Sequence, residues 1–195
     1  MAELKLPVDE KSIRALKVGD FVELTGRMIT GRDTAHKWLL EDFRADVAPF
    51  LKDSVIYHCG PVVAKKGDGS WSFVAAGPTT SIREEPYQAD VIGRYGLRGV
   101  IGKGGMGAKT LAGLGKHGAV YLHAVGGAAQ VLARAIPRVE QVFMLDEFGV
   151  PEALWVIEVQ RFPVMVTMDS HGGSLHDEVE ARSQAKLKEL LARKA

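Results

Sequence analysis

The stretch Arg98–Val125, RGVIGKGGMGAKTLAGLGKHGAVYLHAV, decides how the chain is read. A short apolar run, Gly99–Ile101, leads into the glycine-rich turn Gly102–Gly107. A helical pattern follows to His117, and then a second apolar run, Ala119–Val125. Strand, turn, helix and strand in that order make a β-α-β unit. Gly102–Gly107 also matches G-x-G-x-x-G, but a dinucleotide fold needs an acidic residue about 20 positions on to hold the ribose hydroxyls. No Asp or Glu occurs from Val91 to Val139, and the next acid is Glu140. A phosphate-binding P-loop fails too, because its first glycine position is Leu97 and Lys103 is followed by Gly104. What survives is physical: glycines let backbone approach a ligand closely, a helix start favours anions, and Lys103 supplies a mobile positive charge.

The same acid-free stretch carries Arg94, Arg98, Lys103, Lys109, Lys116, Arg134 and Arg138. Twelve of the 22 glycines lie between Gly93 and Gly127. Such a region suits a small anion, or else its cations are a solvated face neutralised by acids from elsewhere. The whole chain of 195 residues has a net charge of only +1, so nothing global draws it to nucleic acid or to an anionic membrane. No run of about 18 apolar residues predicts a membrane span, and the charged N-terminus has no signal-peptide core. One cysteine, Cys59, excludes an internal disulfide and cannot by itself hold a cluster or a structural zinc ion. A cytoplasmic location is expected.

Working outward, Asp20–Gly31 alternates as a strand, and the segment to Phe43 turns helical with Thr30 or Asp33 as the expected N-cap. Ser54–Val63 and Trp71–Thr80 read as strands, each stopped by a Gly-Pro pair, with a hairpin turn at Lys65–Trp71 between them. Gly126–Ile136 reads as a helix. Arg138–Phe148, Leu154–Phe162 and Val164–Ser170 read as three strands, and a charged amphipathic helix ends the chain over about 176–195. The order predicts one compact α/β domain over 1–195 with mixed sheets.

Two more segments carry candidate chemistry. In TGRDTAHK, Arg32 could grip a carboxylate in bidentate fashion beside a helix start with Asp33, and His36 lies four residues on, as either a structural or a site residue. In GPTTSIREEP, an abrupt strand end presents Thr79, Thr80 and Ser81, then Arg83. That is either a capped turn with a surface arginine or a grip for a small oxyanion. Arg32, Arg83 and Lys103 together would suit a small dicarboxylate. No Ser-His-Asp order and no metal-spaced His/Cys cluster stands out.

Taken together, TGRDTAHK, YHCGPVV, AAGPTTSIREE, GVIGKGGMG and the tail MLDEFGVPEALWVIEVQRFPVMVTMDSHG resemble the β subunit of class I, iron–sulfur-dependent fumarate hydratase and its relative, the tartrate dehydratase β subunit. The resemblance covers about residues 5–180, with Thr34 and Ser81-Ile82 as mild departures. It implies a swivelling β/β/α domain, the separate-subunit counterpart of the C-terminal half of single-chain enzymes. It implies a [4Fe-4S] cluster held by an α partner and not by this chain, in an α2β2 or β–β assembly. It implies a hydro-lyase that hydrates fumarate to malate only with that partner. Arg32, Thr79, Arg83 and Lys103 would contact substrate carboxylates, Asp33 and His36 would lie at the substrate, and Thr79, Lys103 and Arg83 would be catalytic, with Thr79 as base. The alternatives are conversion of L-tartrate to oxaloacetate, a non-catalytic anion- or nucleotide-binding module, and a subunit that only docks.

Overall fold

In a computed structural model, residues 2–192 are described. The elements run β1 (Ala2–Leu6), α1 (Glu10–Arg14), β2 (Phe21–Thr30), α2 (Asp33–Glu41), α3 (Ala48–Leu51), β3 (Val55–Tyr57), β4 (Val62–Lys65) and β5 (Trp71–Ala75). A 3-10 turn at Ser81–Glu84 then enters α4 (Glu85–Tyr95). There follow β6 (Gly99–Gly102), α5 (Ala108–His117), β7 (Val120–His123), α6 (Ala129–Arg134), β8 (Arg138–Phe143), α7 (Leu145–Phe148), β9 (Leu154–Met168) and α8 (Leu175–Ala192). The last three positions of the expected C-terminal helix lie outside the described residues.

Seven strands form one mixed sheet in the order β1-β2-β3-β6-β7-β9-β8, and β4 and β5 form a separate hairpin. β2, β3, β6 and β7 are parallel neighbours. β9 runs antiparallel to β7 and also to β2, so β2-β3-β6-β7-β9 closes into a ring.

Strand residues alternate between two cores because successive side chains leave opposite faces. Val55, Tyr57, Ile101, Val120, Leu122, Trp155 and Ile157 join one cluster, with Phe73 of the hairpin and Leu132 of α6. Ile56, Val100, Tyr121, Leu154 and Val156 join the other, under Ala35 and Leu39 of α2, Ile92 and Tyr95 of α4 and Leu114 of α5. Both faces of the parallel strands are thus covered, which is why GVI and VYL read as uninterrupted apolar runs.

The structure corrects several sequence expectations. Arg32, not Thr30 or Asp33, occupies the α2 N-cap, with no side-chain cap bond, and the helix ends at Glu41. Phe43 therefore lies beyond it, stacked on Tyr95 at 5.4 Å. The two expected strands after Leu154 are one, β9, which runs through a register shift at Gln160-Arg161, where Arg161 takes a left-handed backbone (φ 51°), while Phe162 and Pro163 stay paired with β2. The tail of the expected Arg138–Phe148 strand turns into α7. Helix α4 was not expected; Pro86 in its first turn and Gly96 as a left-handed C-cap mark its ends.

Candidate active site

The loops that follow β2, β3 and β6 leave the carboxyl ends of three adjacent parallel strands, the usual place for ligands in α/β sheets. They present Arg32-Asp33, His58-Cys59-Gly60 and Lys103-Gly104. The GPTT segment crosses them. Cys59 bridges Pro78, and Thr80 bridges Lys103.

Thr79 is clamped through its main chain. Its N–H donates to His58 O (2.7 Å) and its carbonyl accepts from Lys103 N–H (3.2 Å), while Ser81 N–H donates to Lys103 O (3.0 Å). These bonds fix the hydroxyl-bearing turn against the lysine loop. The Thr79 hydroxyl and the Lys103 ammonium have no hydrogen-bond or ion-pair partner among the described residues. Four other cations of the acid-free stretch are committed, whereas Lys116 and Arg134 are exposed without a hydrogen-bond or ion-pair partner among the described residues. Arg98 binds Asp53 and Glu10, Lys109 binds Asp90, and Arg138 binds Glu140 and Glu158. Arg94 donates to the carbonyls of Leu39 and Leu40.

Two glycines make the lysine loop possible. A Cβ on Gly102 would lie 1.8 Å from Ser81 Oγ. Gly105 combines φ +79° with a would-be Cβ 2.5 Å from the His176 ring at the start of α8. The groove lined by Gly104, Met106, Leu175 and His176 flanks the loop on that side.

The two arginines each meet a carboxylate. Arg83 Nη2 lies 2.6 Å from Asp33 Oδ2, and Arg32 Nη1 lies 3.1 Å from Glu152 Oε1. Burial tends to raise the Asp33 carboxyl, but the Arg83 hydrogen bond, the Asp33 N–H and the charges of Arg83 and Arg32 hold it below its ordinary value. Asp33 thus orients Arg83, and Glu152 orients Arg32. Sequence reasoning missed Glu152; its only signal was its place in the GVPEALW block.

A buried polar layer lies against the Arg32 segment; His36 and Ser81 of it were candidates from the sequence, whereas His58, Glu84 and Gln88 were missed. His36 and His58 are fully buried, as are Ser81, Glu84 and Gln88. His36 Nδ1 lies 2.8 Å from Arg32 O and its Nε2 2.9 Å from the Gln88 side-chain amide. Both ring nitrogens are thereby taken, so His36 holds the Arg32 main chain from below instead of presenting a free nitrogen. His58 Nε2 is 2.7 Å from the same amide and its Nδ1 2.8 Å from Ser81 Oγ. Burial lowers both imidazoles, His58 more strongly because His36 stands beside it. Glu84 Oε2 is 3.8 Å from His58 Nδ1, and neither carboxylate oxygen has a hydrogen-bond partner. Burial, with Asp33 adding, pushes Glu84 up to about 7. Arg32 Nε and Asp33 Oδ1 are likewise buried without hydrogen-bond partners. Buried polar atoms without partners are rare in folded proteins, and here three neighbouring residues carry them.

Cys59 is fully buried and its thiol is pushed up to about 12, chiefly by burial. Among the described residues no three His, Cys, Asp or Glu side chains gather as a metal site, so these residues do not suit a cluster. No described helix is long and apolar enough to cross a membrane.

The loops after β2, β3 and β6, with the GPTT segment across them, thus carry an unpartnered threonine hydroxyl and lysine ammonium and two carboxylate-paired arginines, groups of the class that bind small anions. Residues 2–179 match the family described as Fumarase C-terminus, and the chain belongs to it. It is 54% identical over 184 residues to "Putative fumarate hydratase class I" of Geobacillus stearothermophilus, covering 94% of this chain but 35% of that protein. It is 43% identical to "Putative L(+)-tartrate dehydratase subunit beta" of Methanocaldococcus jannaschii, over 93% of this chain and 94% of that one. With "L(+)-tartrate dehydratase subunit beta" of Escherichia coli K12 the identity is 38%, over 88% of this chain and 85% of the relative. The chain thus spans about a third of the first relative and nearly all of the other two.

Proposed function

We propose that this chain is the β-type part of an iron–sulfur hydro-lyase, gripping a small dicarboxylate such as fumarate for reversible addition of water to give malate. One observation carries the reading: main-chain bonds hold Thr79 and Lys103 together, and the Thr79 hydroxyl and the Lys103 ammonium have no partner among the described residues. Lys103, Arg32 and Arg83 would fix the two carboxylates, with Asp33 and Glu152 setting the guanidinium planes. Thr79 would move the proton at the carbon beside a carboxylate. A hydroxyl is a poor base by itself, and nearby cations favour its ionised form.

The residues of this chain do not suit the [4Fe-4S] cluster, which would sit on an α partner and serve there as Lewis acid. The swivelling β/β/α name, a single domain over 1–195, an αβ assembly and a cytoplasmic location belong to the same reading. L(+)-tartrate is the second candidate substrate, because two relatives matched over most of their length carry that name.

The test is activity of the chain assembled with a cluster-bearing α subunit on fumarate, malate and L(+)-tartrate. Turnover should fall at least about a hundredfold in Thr79→Ala and Lys103→Ala, the range for loss of a proton-transfer or charge-stabilising group. Near wild-type turnover in either variant overturns these roles. Activity of this chain without an iron–sulfur partner overturns the whole reading.

A further inference from the structure

We propose that Gln88 is a positioning residue that locks the Arg32 segment to the Thr79–Ser81 segment through a buried chain, Arg32–His36–Gln88–His58–Ser81, with its amide NH2 donating to both imidazoles. The inference deepens the hydro-lyase reading and rests on it for its catalytic consequence, but its geometry stands alone.

The hydrogens follow from the partners. Arg32 O, 2.8 Å from His36 Nδ1, can only accept, so Nδ1 carries the hydrogen. In a fully buried ring disfavouring charge, Nε2 is then bare and must accept. The Gln88 amide atom in question lies 2.9 Å from His36 Nε2 and 2.7 Å from His58 Nε2. With oxygen at that point both Nε2 atoms would need hydrogens, His36 would be a buried cation, and the Gln88 NH2 would stay buried without an acceptor. Half a turn of the amide places NH2 between the rings, keeps both imidazoles neutral and gives both amide hydrogens an acceptor. One group with two hydrogens then serves two imidazole lone pairs. His58 is left with its hydrogen on Nδ1, facing Ser81 Oγ at 2.8 Å and Glu84 Oε2 at 3.8 Å. Tyr121 donates its hydroxyl to the same Ser81 Oγ (2.9 Å).

The mechanical result is a link between two loops that carry site residues. Gln88 sits on α4, His36 on α2, and His58 just beyond β3. His36 fixes the carbonyl of Arg32, while His58 fixes Thr79 by its own carbonyl and Ser81 by its ring. The charged or titratable groups facing this chain are Arg32, Asp33, Glu84 and Tyr121. Gln88 itself touches neither the Thr79 hydroxyl nor the Lys103 ammonium.

The experiment has two arms, using the full chain alone and the chain assembled with its α partner. In the chain alone, 15N NMR of the imidazoles should show His36 and His58 as neutral Nδ1–H tautomers across roughly pH 6–8, the range where an ordinary histidine titrates. An Nε2–H tautomer at either residue overturns the proposal without any variant. Gln88→Met, similar in shape but unable to donate, should shift the main-chain amide signals of both Arg32-Asp33 and Thr79–Ser81. Shifts confined to one segment overturn the link. In the assembled enzyme Gln88→Met should lower kcat at least about tenfold with KM changed less than about threefold, as loss of geometry made good only in the transition state requires. Gln88→Glu, which has one donor hydrogen when protonated and none when ionised, should bring a new ionisation near neutral pH into the kcat profile. Full turnover in Gln88→Met, or an unchanged profile in Gln88→Glu, overturns the catalytic role. If the wild-type assembly turns over neither fumarate nor tartrate, the hydro-lyase reading fails, and the NMR arm still decides the network.

Discussion

Glu84→Gln should flatten a large part of the pH dependence of stability. Glu84 is fully buried, its carboxylate oxygens have no hydrogen-bond partner, and its carboxyl rises from 4.5 to about 7, chiefly through burial. The folded state therefore holds this proton in a range where the unfolded chain has released it. Stability must fall as pH climbs from about 4.5 to about 7, and it levels off above that. At about 1.4 kcal/mol per pH unit, the full loss is about 3 kcal/mol. Glutamine keeps the shape and cannot ionise. Any fixed cost of burying its amide shifts the variant equally at every pH and leaves the slope untouched. Urea unfolding of both proteins between about pH 4.5 and 8 gives the difference curve directly. Asp33, held low, loses stability only at lower pH, and His58, held low, loses it as pH falls below 6.5; both are present in each protein and cancel to first order. The variant should gain about 3 kcal/mol on the wild type between the ends of that range. A flat difference curve, or one of opposite sign, refutes the account of Glu84 as an uncompensated buried acid.

Cys59, fully buried with its thiol near 12, should resist aromatic disulfide reagents in the native chain and react only as fast as the protein opens, which timed thiol labelling with and without denaturant checks. Gly102→Ala should displace Ser81 and cost at least about 2 kcal/mol, read as a fall in Tm, because the new methyl would lie 1.8 Å from a hydroxyl bonded on two sides. Arg98→Lys should destabilise by about 1–3 kcal/mol in urea melts, since one guanidinium reaches Asp53, Glu10 and the carbonyl of His117 together and an ammonium cannot.

Much of this was legible in the sequence where one local rule dominates. The β6–α5–β7 unit follows from apolar runs flanking a helical period, and the three cation-bearing segments were found because each follows a turn. The buried polar layer was legible only in part. His36 and Ser81 stood out in their motifs, but His58, Glu84 and Gln88 did not; His36 and Gln88 are 52 positions apart, and only the fold puts one amide against two imidazoles. Helix α4 was missed because its start, Ile82–Pro86, is dense in charge next to a proline, which reads as a loop until Pro86 is recognised as a first-turn residue. β9 was split because Pro163 and the charged Arg161 look like a stop, whereas a bulge lets one strand run through them.

The ring closed by β9 also constrains how the chain acquires its structure. Phe21 pairs with Met165 and Ile29 with Val156, so the wall of the sheet joins residues more than a hundred positions apart. On a ribosome, β2 would wait with one edge open until β9 has emerged, and an open edge beside apolar residues is the usual starting point for misassembly. Contacts of such long sequence separation also slow the search for the native state. Production of this chain should therefore benefit from slower synthesis or chaperone supply, and truncation before Leu154 should yield aggregate in place of a smaller folded piece.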